Sequence, residues 1–136
     1  MSYCTKQNLI DRFTETELIQ LSDRDNLGVI DDTVLNQAIT DSDAEINGYL
    51  NRYTLPLVNV PANMVSMACD IARYHLYDDG MIEQVQIRYN SAIAYLVQVA
   101  KGVITLGPDV NGTVTTVTNN SVTVASTAAV FGIDNY

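Results

Sequence analysis

Apolar residues recur three and four positions apart through most of the first hundred residues, the spacing of helix faces rather than strand faces. Thr5 caps a short helix over Lys6 to Phe13, and Thr14 with Glu17 forms a capping-box pattern that opens a second short helix through Leu21. A turn over Asp23–Asp31 follows, and Asp31 or Asp32 caps a long third helix to about Tyr53. On that helix Leu35, Ile39, Ser42, Ile46, Tyr49 and Tyr53 share one stripe, and Asp41, Asp43 and Glu45 fall on the other side as a solvated face. Pro56 breaks the helix. Pro61 suits the first turn of a fourth helix, Ala62 to about Tyr77, packed through Met64, Val65, Ala68, Ile71, Ala72 and Leu76 and ended by Asp78-Asp79-Gly80. The last helix runs from about Met81 to Lys101, with Gly102 at the C-cap position and a stripe of Ile82, Val85, Tyr89, Ile93, Leu96 and Ala100. Its stretch from Ala92 to Val97 is apolar almost all round, so it is expected to be covered on more than one side, by its own domain or by a neighbouring subunit. Tyr89, Ile93, Tyr95, Leu96 and Val97 are the candidates for packing between subunits.

The pattern changes at Gly102. Val103-Ile104-Thr105-Leu106 reads as a short strand closed by Gly107-Pro108. Thr113–Thr118 and Ser121–Thr127 are rich in Thr and Val around Asn119-Asn120, a pair that tolerates the positive φ of a hairpin turn. In that register Val117 faces Val122 and Thr115 faces Val124. An isolated hairpin is marginal in water, so this arm is expected to lean on the helical body, a neighbouring subunit or another protein's sheet. The last residues, with Phe131, Ile133 and Tyr136, read as an apolar anchor or, alternatively, as a frayed tail, and Val117, Val122 and Val124 join them as candidate partner contacts. The expected fold class is therefore mainly α: a small helical bundle of two short N-terminal and three longer helices in residues 1–106, with a C-terminal β-hairpin arm in residues 107–136.

Composition narrows the functions. A chain of 136 residues, 47% of them hydrophobic, fits one domain with an appendage and has enough apolar area for a core. The net charge of −9 argues against nonspecific wrapping of DNA, which needs a basic footprint, while an acidic surface lets DNA pass without sticking. Seven scattered Lys and Arg residues cannot form a continuous nucleic-acid track. Cys4 and Cys69 are far apart and form no metal pattern, so two buried or incidental thiols in a reducing cytoplasm are expected. The N-terminus carries no signal-peptide hydrophobic region and no apolar run is long enough for a bilayer, so a membrane location is not expected.

Candidate chemistry concentrates in Ser22 to Asp32, S-D-R-D-N-L-G-V-I-D-D, which resembles a calcium loop. Counting from Asp23 places Asp25 at position 3, Gly28 at 6 and Ile30 at 8, all as an EF-hand requires. Leu27 at position 5 and Val34 at 12 cannot ligate calcium, so Asp23, Asp25, Gly28 and Asp31 read as a structural turn between two helices. His75, the one histidine, has no nucleophile-elbow pattern near it and reads as a packed or interface residue. No phosphate-cradling glycine loop or zinc spacing occurs, and no catalytic set and no cofactor are expected.

Four segments carry a resemblance. L-I-Q-L-S-D-R-D-N-L-G-V-I-D-D-T-V-L-N-Q-A-I (Leu18 to Ile39), A-E-I-N-G-Y-L-N-R-Y-T-L-P-L (Ala44 to Leu57), C-D-I-A-R-Y-H-L-Y-D (Cys69 to Asp78) and A-K-G-V-I-T-L-G (Ala100 to Gly107) resemble a family of Mu-like phage and prophage proteins. In that family the first segment reads closer to D-R-D-x-D-G-x-I-D-D, from which Leu27 departs. The resemblance covers Tyr3 to Pro108 and implies a head–tail connector, or adaptor, of tailed phages. Such a protein is a homo-oligomer, usually a twelve-fold ring under the portal protein. It meets a stopper or tail-completion protein on the other side, and genomic DNA passes through its lumen unbound. The implied location is the head–tail interface of the virion, after synthesis in the host cytoplasm. The alternative is a calcium-responsive or other helical protein-binding module without catalysis.

Overall fold

A computed structural model describes residues 2–77 and 80–107, which form five helices: α1 (Lys6–Phe13), α2 (Glu15–Ser22), α3 (Asp32–Tyr49), α4 (Ala62–Leu76) and α5 (Glu83–Ala100). The described part is mainly helical, as expected. Helix α4 is central: it packs against both α3 and α5, which also touch each other, and α1 rests on it. The short α1 and α2 pack on each other, and α2 also meets α3.

Local chemistry explains the boundaries. Thr5 and Asn8 form a complete capping box for α1, with Asn8 rather than Glu or Gln as the reciprocal partner. For α2 only half the expected box forms: Thr14 accepts from the Glu17 amide, but the Glu17 carboxylate turns away to Arg73. Helix α3 stops at Tyr49, four residues short of the expected end. The chain tightens there through Leu50 N–H to the Asn47 carbonyl and Tyr53 N–H to the Leu50 carbonyl, ahead of a cis Leu55–Pro56 bond. Pro61 is the N-cap of α4 rather than a residue of its first turn. Helix α5 begins at Glu83, two residues later than expected, with Ile82 as N-cap.

Most of the expected stripe residues enter the core, with Ile82 of the α5 stripe left 51% exposed. Leu35, Ile39 and Ile46 of α3 meet Met64, Ala68, Ile71 and Ala72 of α4, and Leu96 and Val99 of α5 complete the cluster. Ser42, set among the apolar residues of its stripe, is fully buried and donates to the Ala68 carbonyl at 3.0 Å. A small side chain facing another small side chain lets α3 and α4 approach, and the hydrogen bond satisfies the hydroxyl that burial would otherwise leave unpaired.

The expected β-arm needs correction. Residues 103–106 are not a strand, and no strand occurs among the described residues. Lys101 caps α5, Gly102 takes φ +79°, and the amides of Gly102 and Val103 return to the carbonyls of Val99 and Gln98. This is a Schellman ending. Ile104 N–H also turns back to Gln98, and Leu106 N–H donates to the Tyr53 hydroxyl at 2.9 Å. The donors that a strand would offer a neighbour are thus spent on the helix end and the α3–α4 loop. The hairpin expected over residues 113–127, with Val117, Val122 and Val124, lies outside the described residues, as do Phe131, Ile133 and Tyr136.

Candidate functional site

The α2–α3 turn is built by its polar residues. The Asp23 carboxylate accepts from the backbone amides of Leu27 (2.8 Å) and Gly28 (2.7 Å). Asn26 and Gly28 take the positive φ values that fold the loop back. Ser22 donates to the Leu18 carbonyl and accepts from the Asp31 amide, and Asp31 caps α3 by accepting from Thr33 and Val34. Asp23 and Asp31 therefore hold backbone amides, Asp25 stands exposed, and no group of three or more acidic, His or Cys side chains that could hold a metal forms among the described residues. Beside the exposed Arg24, Asp25 and Asn26 the turn presents two apolar side chains outward: Leu27 is 72% exposed and Val29 57%.

Other large apolar side chains also face solvent: Val58 in the α3–α4 loop (62%), Ile82 and Ile87 at the start of α5, and Val103 after it. Ile87 borders an open groove of about 430 Å³ between α4 and α5, lined also by Met67, Ala92, Tyr95 and the Asp70–Arg88 pair. Asp70 ionises less readily than an ordinary Asp because burial outweighs the Arg88 guanidinium.

The candidates for packing between subunits divide. Leu96 is fully buried in the chain's own core. Ile93 and Tyr95 are half-buried against that core, and the Tyr95 hydroxyl accepts from Asn63 at 2.9 Å. Val97 is half-buried and Ala94 exposed, so part of the apolar stretch of α5 faces outward. Tyr89 is occupied within the molecule: its hydroxyl donates to Glu45 and its ring stacks on Tyr74 with centroids 3.7 Å apart. The second Glu45 oxygen lies 2.9 Å from His75 Nε2. Burial, then the Glu45 contact, makes the Tyr89 phenol harder to ionise.

Glu45 is thus a clasp joining α3, α4 and α5, which corrects its expected place on a solvated face. Asp43 is likewise engaged, by the Tyr3 amide at 3.0 Å, while Asp41 remains exposed. Both carboxylate oxygens of Glu45 are taken, so the cluster holds helices together rather than offering a free base. A second clasp joins α2 to α4: Arg73 forks onto Glu17 at 2.7 and 3.1 Å and lies over the Phe13 ring at 4.4 Å. Sequence spacing gave no sign of Leu27 and Val29 as a surface, because two apolar residues in a turn carry no periodicity that says which way they face.

Residues 3–125 match the family described as "Bacteriophage Mu, Gp36", a match that reaches past the four segments read in the sequence. The chain is similar to the "Mu-like prophage FluMu protein gp36" of Haemophilus influenzae, 35% identical over 106 residues, which cover 77% of this chain and 75% of that protein. It is similar to "Gene product J" of Escherichia phage Mu, 36% identical over 104 residues, covering 75% of this chain and 74% of that protein.

Proposed function

Because the chain belongs to the Bacteriophage Mu gp36 family, we propose that it is a structural, non-enzymatic protein of the virion, a head–tail connector. In this reading it forms a ring, twelve-fold like the portal, that joins the portal to the stopper or tail and lines the channel for DNA.

The observation that carries the reading is the spread of exposed apolar side chains over a small body whose core is otherwise closed. Leu27 and Val29, Val58, and Ile82 with Ile87 stand on separate elements. Apolar surface on several sides suits a subunit that touches neighbours and axial partners at once. The net charge of −9 suits a lumen that phosphate slides past. The calcium-responsive alternative draws no support from the turn, whose Asp23 and Asp31 oxygens serve backbone amides.

The test is a deletion of this gene in the phage that carries it, followed by electron microscopy of the lysate. The expected result is DNA-filled heads and free tails that do not join, restored by the chain supplied in trans. Normal tailed particles without the protein would overturn the proposal.

A further inference from the structure

We propose that copies of this chain join head to tail, the acidic α2–α3 turn of one seating on a basic, apolar pole of the next. The three long helices run antiparallel and leave two ends. At the first, the α3–α4 loop meets the end of α5: Arg52 donates to the carbonyls of Ala100 and Lys101 at 3.0 and 3.4 Å, and the Tyr53 hydroxyl accepts from the Leu106 amide. At the second lie the α2–α3 turn, the end of α4 and the start of α5; Arg24, Thr33 and Val34 of the turn and α3 line one hollow with His75 and Leu76 of α4. Among the described residues, the exposed large apolar side chains gather at these two ends, Ile87 within α5 excepted. Leu55, Val58 and Val103 stand at the first, and Leu27, Val29, Met81 and Ile82 at the second.

Charge distinguishes the ends. Residues 50–61 and 98–107 contain Arg52 and Lys101, both exposed, and no Asp or Glu. Arg52 is held against the last carbonyls of α5, which fixes its positive charge at this pole. Around the turn the sign is reversed. Asp23, Asp25, Asp31 and Asp32 outnumber Arg24 and Lys6, the latter paired with Asp32 at 2.8 Å.

A chain of net charge −9 repels its own copies on most approaches. The pole of Arg52 and Lys101 reverses that repulsion for an acidic surface, and the turn brings both the carboxylates and two apolar side chains to bury against Leu55, Val58 and Val103. Pairing like ends would set Arg52 and Lys101 against their own copies, or one turn's carboxylates against another's. Unlike ends combine apolar burial with attraction. They cannot meet within one molecule, because the 18 residues of α3 hold them roughly 27 Å apart. A contact between unlike surfaces is heterologous: each copy added leaves one end of each kind open until a ring closes or a filament grows. The inference deepens the proposed ring and rests on that reading for closure; the pairing of ends does not.

The experiment is sedimentation velocity of the full-length chain at concentrations rising to the millimolar range, with variants whose thermal unfolding matches the wild type. Val103→Asp blocks the basic pole and Leu27→Asp blocks the turn. Val58→Asp and Val29→Asp block the same two ends from other positions and replace either variant that fails to fold. The wild type is expected to grow beyond a dimer as concentration rises, and each blocked variant to stay monomeric. Equal amounts of the two blocked variants are expected to form a heterodimer that grows no further, because each contributes its one intact end. Lys101→Glu, which puts a carboxylate on the basic pole, is expected to weaken association severalfold. Overturning results are a monomeric wild type, a blocked variant that dimerises with itself, a mixture that stays monomeric, or Lys101→Glu association equal to the wild type. A monomeric wild type that still saturates portal rings overturns the head-to-tail contact and leaves the connector reading standing. Head-to-tail association without any binding to portal rings does the reverse.

Discussion

The α3–α4 seam and the α2–α3 turn use polar and apolar residues in opposite senses. In the seam, apolar side chains face inward and the one hydroxyl, Ser42, is hidden and satisfied by the Ala68 carbonyl. In the turn, the polar groups of Ser22, Asp23 and Asp31 are directed onto the backbone, and Leu27 and Val29 are left to solvent. The seam is arranged for the chain's own stability. The turn invests its polar groups in holding a shape whose exposed residues contribute little to folding, which is the arrangement expected of a contact surface.

The largest effect should come from breaking the seam. Ile46→Ala leaves a cavity where Ile46 is wholly buried, and should cost about 2–5 kcal/mol in urea unfolding. Gly102→Ala tests the ending of α5, since it forces a side chain onto φ +79° with the Arg52 guanidinium 3.1 Å away; it should cost about 1–2 kcal/mol. Ser42→Ala removes the hydrogen bond across the seam and should cost about 1 kcal/mol. Leu27→Ser and Val29→Ser should each change stability by no more than about 0.5 kcal/mol while weakening assembly measured by sedimentation. A large loss of stability there would erase the contrast between the two regions.

The smallest effect is a pH dependence. Burial raises the Asp70 pKa above its ordinary 3.8, so between the unfolded and folded values the folded chain holds more protons. The contribution of Asp70 to stability therefore declines as pH rises through that window. Asp70→Asn should remove this decline from unfolding curves collected across the acid range.

Much of the helical body was legible because its signals are local. Thr5 and Phe13 bound α1 as read, and most of the stripe residues of α3, α4 and α5 entered the core, Ile82 excepted. The family resemblance also held. What escaped depended on contacts distant in the chain. Glu45 looked solvated because its partners, His75 and Tyr89, are brought by two other helices. Val103 to Leu106 had strand composition but no strand to pair with among the described residues, and the end of α5 and the Tyr53 hydroxyl took up amides of Val103, Ile104 and Leu106. Periodicity reports which face is buried; it carries no information about which buried or polar groups meet.

The connector role is tested most directly by co-sedimenting the purified full-length chain with portal rings from the same genome, followed by particle averaging. Saturable binding at one copy per portal subunit is the predicted result. Intact portal rings that sediment without the chain, at concentrations well above those needed for saturation of a specific complex, would contradict it.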